Sequence, residues 1–549
     1  MDDVIRAKGS AATEIERLWT LEKMNLGPVN YYAALAAEEN EILAVGAVNV
    51  LLDQGVVPVT ANDVIVRLSR FHSVQLRAFD FYVDNFDHPH AEAVLATPLR
   101  SSDMVKRQLV AKYNDDKVEL ATIEIERFFR TGEVGPLSEA ASAAEGAGGW
   151  RRALPLIVDL VLINPQNAGW LARLGQMLRQ ANEFDLLNRV CDIVDKIGIF
   201  PNVSLVFRAV LAGRAGSAAE GLKLLDRVSR KNLPQDLAIA ADSVTAELLE
   251  KLGRFDDAYG AYMRQNKLLR GPEFNPSAFV AEAKAKAEAT LAAPGPDPRK
   301  NYYMMLGFPR SGTTLLENAL ANHPRIETFE EIPSFAAVNQ LFRKSHIPGA
   351  PLERDFAKRA RARYYTELDR RANKSGADVF IDKLPILSAQ AHFLKKIFPE
   401  KRYIFSIRHP YDVVLSCFKQ AFAPNVAMDN FTTFEDSCRI YDFTMNQWFT
   451  AFDLDSPEVR YVRYDRLVLD FKAEVSRVLA FLGVDWHDDI AHFAERASER
   501  QVKTPSYAKV RSGVSIGVQT AWRNYAFLFK RPEARPLDRW VKLFGYEGL

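Results

Sequence analysis

Apolar residues divide this chain into two halves of different rhythm. Up to about residue 291 they recur at three- and four-residue intervals, the spacing of one amphipathic helix after another. The run AAEENEILAVGAVNVLLDQG shows the pattern within residues 1–147, which read as mostly helical. Beyond residue 300 short apolar runs alternate with helical periodicity, as strands and helices do in an α/β domain. Between the halves lies Ala292–Lys300, AAPGPDPRK, where three prolines and a glycine in nine residues stop a helix. The domains expected are 1–147, 148–291 and 301–549, with 292–300 as linker. SEAASAAEGAGG, Ser138–Gly149, reads as a small-residue joint between the first two.

Within 148–291 a weak repeat emerges. Trp150, Phe184, Ala218 and Phe255 occupy corresponding places at spacings of 34, 34 and 37, and Pro165, Pro201 and Pro234 punctuate the helix pairs. A helix-turn-helix period near 34 resembles tetratricopeptide repeats. The other reading is an irregular helical bundle. In either case one pair cannot bury its own apolar face, so neighbours must stack, and an all-α solenoid with a concave side is expected, to hold a partner or to shape access to the carboxy-terminal half.

Composition narrows the function classes. Of 549 residues, 48% are hydrophobic and 26% charged, and the formal net charge is +1, so no general nucleic-acid or membrane-surface binding is implied. Cys191, Cys417 and Cys438 are far apart and lack metal-ligand spacing, which fits a reducing compartment. The polar start MDDVIRAKGSAATEIERLW has no apolar signal core, and no later run is long enough to span a bilayer; a cytoplasmic location is the expectation.

Candidate chemistry begins at NYYMMLGFPRSGTTLLENALANHP. Tyr302–Leu306 reads as a buried strand, Gly307–Gly312 as a turn, and Thr313 onward as a helix. Such a loop aims backbone N–H groups at one point beside a helix amino terminus, which suits a phosphate. An ATP-binding loop would have lysine after its second glycine; here Thr313 stands there and Arg310 supplies a cation within the loop. A second strand-turn-helix follows in KRYIFSIRHPYDVVLSCFKQ. Tyr403–Ile407 is the strand, Arg408 caps its end, Pro410 opens the helix, and Ser416 lies about two turns on.

PRSGTT resembles the 5′-phosphosulfate-binding loop of sulfotransferases, and Arg408 with Ser416 resembles that family's 3′-phosphate motif. The resemblance covers roughly residues 301–530. It implies a parallel sheet with helices on both faces, a P-loop-like fold, and 3′-phosphoadenosine-5′-phosphosulfate as donor, with no metal. It assigns donor contacts to Arg310, Ser311, Gly312, Thr313, Thr314, Arg408 and Ser416. In RIETFEEIPSF, Glu331 matches the general base of tyrosylprotein sulfotransferases and their bacterial repeat-containing relatives, with Glu330 as the alternative. In VFIDKLPIL, Lys383 matches the lysine that approaches the sulfonate. Asp382 is read as orienting the turn and His409 as structural. VRYVRYDRLVLDF places Asp465 and Leu467 in family-like positions. In VKTPSYAKVRSGVSIGVQTAWRNY, Ser506 falls where relatives have a serine near the 3′-phosphate. Thr520 and Ala521 depart from the glycine and basic residue usual before Trp522, so Arg511 or Arg523 is left to supply the charge. The favoured acceptor is a protein or peptide tyrosine; a glycan or small-molecule hydroxyl, a P-loop kinase and a non-catalytic scaffold are the alternatives.

Overall fold

A computed structural model describes residues 117–492 and 520–548, except 165–166, 199, 232 and 272, together with Leu18, Gln108 and Ala111. The chain divides into two compact units, Met1–Leu248 and Leu249–Leu549.

The first unit is helical among its described residues. It contains α1 (Lys117–Thr131), α2 (Val134–Gly148), α3 (Trp150–Ile163), α4 (Ala168–Gln180), α5 (Phe184–Ile197), α6 (Pro201–Arg214), α7 (Ala218–Asp226) and α8 (Gln235–Lys251), the division falling within the last. Trp150, Phe184 and Ala218 are each the first residue of a helix, so helix pairs recur with the period seen in the sequence. Local chemistry sets the boundaries. The Asn167 side chain accepts from Gly169 N at 2.9 Å as an N-cap, Pro201 occupies the first turn of α6, and left-handed Gly198 ends α5. Consecutive helices share a core that includes Leu154, Leu160, Leu174, Leu178, Val194 and Phe207. The stretch Ser138–Gly149 is not a joint: it is α2 as far as Gly148, and the break comes at Gly149. Alanine is the strongest helix former, and Ala140, Ala141 and Ala144 are buried where small side chains let neighbours approach.

The second unit is built on five parallel strands. They are β1 (Tyr302–Gly307), β2 (Ile326–Glu330), β3 (Val379–Lys383), β4 (Tyr403–Ile407) and β5 (Val459–Arg463), in the order β2-β3-β1-β4-β5. Its helices include α9 (Phe255–Leu269), α10 (Pro276–Glu288), α11 (Thr313–Ala321), α12 (Ala336–Ser345), α13 (Phe356–Asp369), α14 (Ala391–Ile397), α15 (Pro410–Lys419), α16 (Phe434–Ala451), α17 (Tyr464–Leu469), α18 (Phe471–Leu482), α19 (Ala526–Phe529) and α20 (Asp538–Leu543).

Side chains alternate across the sheet and both faces are covered. On one face Tyr303, Met305, Ile381, Ile404 and Val462 pack with Leu316 and Leu320 of α11 and with Val475 and Val478 of α18. On the other, Phe405 stacks on Trp448 of α16 at 4.3 Å, and Tyr302 stacks on Phe380 at 4.6 Å. The residues 292–300 lie inside this unit. Asp297 is buried against Lys401 at 3.0 Å, and the Gly295 carbonyl accepts from Arg361 Nη1 at 2.7 Å. Helix α10 is anchored by fully buried Lys286, whose Nζ donates to Glu282 (2.6 Å), Asn339 (2.7 Å) and Gln390 (3.0 Å). The three cysteines are buried and free. Among the described residues no helix is long and apolar enough to cross a membrane.

The helical unit has a tight crossing at Gly175, where an added Cβ would meet the Phe207 ring at 2.1 Å. Gly175→Ala is expected to lower this unit's stability by about 1–3 kcal/mol, the usual cost of overpacking, in urea unfolding. Adding Phe207→Leu should return part of the loss.

Candidate active site

The carboxyl ends of four strands converge, and register explains how. Gly307 of β1 pairs with Ser406 of β4, Met305 of β1 with Lys383 of β3, and Glu330 of β2 with Lys383. The connection from β1 runs toward β2, whereas the one from β4 runs toward β5, so a crevice opens between β1 and β4.

The loop after β1 is tight. A Cβ on Gly307 would come within 2.8 Å of both Ser311 Oγ and the Ser406 carbonyl. The Gly307 carbonyl accepts from Ser388 Oγ at 2.6 Å. Arg310 is left-handed (φ 72°), a conformation that costs a non-glycine residue about 1–3 kcal/mol. Neighbours hold it: Ser311 N donates to Phe308 O at 3.1 Å, and Arg408 Nη1 donates to Arg310 O at 3.3 Å. Gly312 (φ 98°) faces the Tyr464 ring so closely that a Cβ would sit 2.3 Å from it. Helix α11 starts at once, and its first-turn N–H groups, which have no partners within the helix, lie at the loop.

The second arm comes from β4 and α15. Arg310 Nε donates to Ser416 Oγ at 3.1 Å, so the two arms already touch through side chains. The Arg408 guanidinium also lies over the Tyr464 ring at 4.7 Å. His409 Nδ1 caps α15 by accepting from Tyr411 N at 3.3 Å, and its ring stacks on Trp522 at 5.2 Å. Trp522 N donates to Asp412 at 3.2 Å. Burial, and then the charges of Arg408 and Arg523, pull the His409 imidazole down to about 4. It is a neutral, structural ring at ordinary pH.

The third arm is a charge cluster. Lys383 Nζ, fully buried, is 2.9 Å from Glu331, 3.5 Å from Glu317 and 3.8 Å from Glu330. Burial would lower the ammonium's pKa, but Glu317, Glu331 and Glu330 outweigh it and hold the pKa above its usual value. Glu331 is left-handed (φ 46°), and its N–H donates to the Lys383 carbonyl at 2.9 Å, an extension of the β2–β3 pairing. Its side chain is 40% exposed, against 17% for Glu330, so Glu331 is the more accessible carboxylate. Asp382 is buried and accepts from Ser334 Oγ at 2.7 Å; burial pushes its carboxyl up to about 6.

Arg310, Ser311, Gly312, Thr313, Thr314, Lys383, Glu331, Arg408 and Ser416 thus gather around one crevice. Ser506 and Arg511 lie outside the described residues. Arg523 is close enough to His409 to act on its charge. Glu317, Tyr464 and Ser388 were not singled out by sequence. Glu317 left one trace, a carboxylate on a helix whose other residues are mostly small or apolar. The crevice has features of an anion cradle: a loop bounded by two glycines that have no room for a side chain, and Ser311 Oγ, buried with no hydrogen-bond partner among the described residues.

The architecture is a parallel α/β domain with cationic and carboxylate side chains at the carboxyl ends of its strands. Residues 304–488 match the sequence model described as the Sulfotransferase family. An uncharacterised protein of Aquifex aeolicus is 24% identical across 66% of this chain and 49% of its own length. Protein-tyrosine sulfotransferase 1 of Danio rerio is 24% identical, with 34% and 55% covered, and nodulation protein NoeE of Sinorhizobium fredii is 26% identical, with 33% and 49% covered. The chain spans about half the length of these curated relatives. Among solved structures, the sulfotransferase domain from the curacin biosynthetic pathway aligns with 47% of this chain and 99% of its own at 16% identity and a TM-score of 0.30. Mouse sulfotransferase SULT7A1 complexed with PAP aligns with 46% and 86% at 16% identity and a TM-score of 0.25.

His409 links the site to stability. Its folded pKa lies below the unfolded value of 6.5, so the stability it contributes is complete above pH 6.5 and is lost as pH falls through about 4. Thermal unfolding across that range should show a loss of roughly 3 kcal/mol from this group. His409→Phe, which keeps a ring against Trp522, should flatten the acid limb.

Proposed function

We propose that this protein transfers a sulfonate from 3′-phosphoadenosine-5′-phosphosulfate to a hydroxyl, with a protein or peptide tyrosine as favoured acceptor. The observation that carries the reading is the meeting of the Arg310 loop with Arg408 and Ser416, at 3.3 Å and 3.1 Å. One nucleotide phosphorylated at both its 3′ and 5′ positions suits two adjacent cationic arms better than a linear triphosphate does, and the ATP-loop lysine is replaced by Thr313.

In this mechanism the Ser311 hydroxyl, the backbone N–H groups of residues 312–314 and the Arg310 guanidinium hold the 5′-phosphosulfate. Arg408 and Ser416 hold the 3′-phosphate, with Ser506 as a further contact. Glu331 accepts the acceptor's hydroxyl proton as its oxygen bonds to sulfur. The bond from sulfur to the phosphate oxygen breaks, and Lys383 neutralises the charge on that oxygen. For this Lys383 turns from Glu331 toward the donor, which leaves Glu331 available as base. The acceptor assignment is supported by relatives named protein-tyrosine sulfotransferase in fish, worm and fly. The helical unit suits partner binding: a groove of about 480 Å³ there is lined from three alternate inter-helix turns by Asn164, Asn167, Phe200, Asn202, Leu233 and Pro234. A cytoplasmic setting belongs to the same proposal.

Calorimetry with adenosine 3′,5′-bisphosphate should show binding at least tenfold tighter than ATP with magnesium, and Arg408→Ala should abolish that preference. Tighter binding of ATP, or phosphate transfer, would overturn the reading in favour of a kinase. Glu331→Gln should keep bisphosphate affinity within about twofold. It should also reduce transfer from radiolabelled donor by about 10²–10⁴-fold, the range typical of a lost general base.

A further inference from the structure

Lys383 has to leave Glu331 during the reaction proposed above, and a buried ammonium set loose from its partner would lose both its aim and its proton. The surroundings of Nζ supply a second holder. Glu317 lies on α11, one helical turn beyond Thr313, so the helix that begins at the phosphosulfate loop also carries a carboxylate under the lysine. Its Oε2 is 3.5 Å from Lys383 Nζ, and its Oε1 accepts from Thr328 Oγ1 at 3.0 Å on β2. The side chain is 6% exposed, against 40% for Glu331, so an incoming donor can displace Glu331 but cannot reach Glu317.

We infer that Glu317 is the positioning residue for Lys383: it keeps the ammonium charged and aimed at the donor while Glu331 exchanges its ion pair for the acceptor proton. This rests on the sulfotransferase reading and deepens it. Glu317 touches neither donor nor acceptor and acts through the lysine. The groups facing Nζ are Glu317 from α11 and Glu330 and Glu331 from the end of β2, with Asp382 adjacent on β3. Glu330 stands farther off, at 3.8 Å. Glu317 contributes the largest of the charge effects that keep the lysine protonated, and burial pushes its own carboxyl up.

The test is Glu317→Gln, which keeps the side-chain shape and an oxygen for Thr328 but removes the charge. Nζ titration is followed by NMR of isotope-labelled lysine, assigned through Lys383→Arg, and needs no turnover. The Lys383 pKa is expected to fall by at least one unit, a tenfold change in proton affinity, because the protonated form loses a counter-charge. In kinetics the basic limb of the kcat profile should move to lower pH by the same amount, with KM for the donor within twofold. Glu317→Asp should recover part of both shifts. An unchanged Nζ titration in a Glu317→Gln protein that still binds adenosine 3′,5′-bisphosphate would overturn the inference. So would a pH-independent loss of kcat accompanied by a lower melting temperature, which would mark a packing role. If the wild-type protein transfers no sulfonate yet the Nζ shift appears, the functional reading fails while the lysine–glutamate coupling stands.

Discussion

The parallel pairing of β1 with β4 is the constraint on which the site depends. Gly307 sits opposite Ser406, so the two strands end at the same level and their loops have to share one edge. Because the chain leaves β1 toward one side of the sheet and β4 toward the other, the loops part above the strands and a crevice remains. Everything that defines the site is fitted to this gap. Gly307 has no room for a side chain beside the Ser406 carbonyl, and Gly312 has none beside Tyr464. The Arg310 carbonyl is held by Arg408 across the gap, which keeps a left-handed arginine in place.

Charge is distributed around the crevice with the same economy of position. The guanidinium groups of Arg310 and Arg408 come from the β1 and β4 side. The ammonium of Lys383 comes from β3 and is encircled by carboxylates from α11 and β2. In a low-dielectric interior such a cluster keeps the lysine protonated without needing bulk water, and it sets apart two kinds of carboxylate by exposure alone. Strained backbone appears at Arg310 and Glu331, and in each case a hydrogen bond with a neighbouring strand or its loop sustains it.

The helical unit follows a different logic. Its helices begin at the repeat positions Trp150, Phe184 and Ala218, and its turns are punctuated by proline, asparagine and glycine, so local chemistry and periodic apolar faces agree. Where composition misled, at Ser138–Gly149, the cause was a tie between two physical readings. A run of small residues is compatible with a flexible joint and with a close-packed helix, and burial of Ala140, Ala141 and Ala144 decides for the helix. No local signal could break that tie, because the neighbours that bury those alanines are supplied by tertiary packing.

By itself the sequence determined the alternation of elements and the two strand-turn-helix arms that carry Arg310 and Arg408. Tyr302–Leu306 and Tyr403–Ile407 are short enough and apolar enough to read as buried strands, VFIDKLPIL reads as a strand ending in a polar turn, and the glycine and proline positions mark the turns that follow. Those signals are local, so one chain can carry them. Only the tertiary structure decided which carboxylate is exposed and which is buried, that Arg310 and Arg408 hold each other, and that Glu317 lies beneath Lys383. These facts depend on strand order and register, which bring residues some 50 to 110 positions apart into contact, and no periodicity within a single segment encodes a distance between two segments.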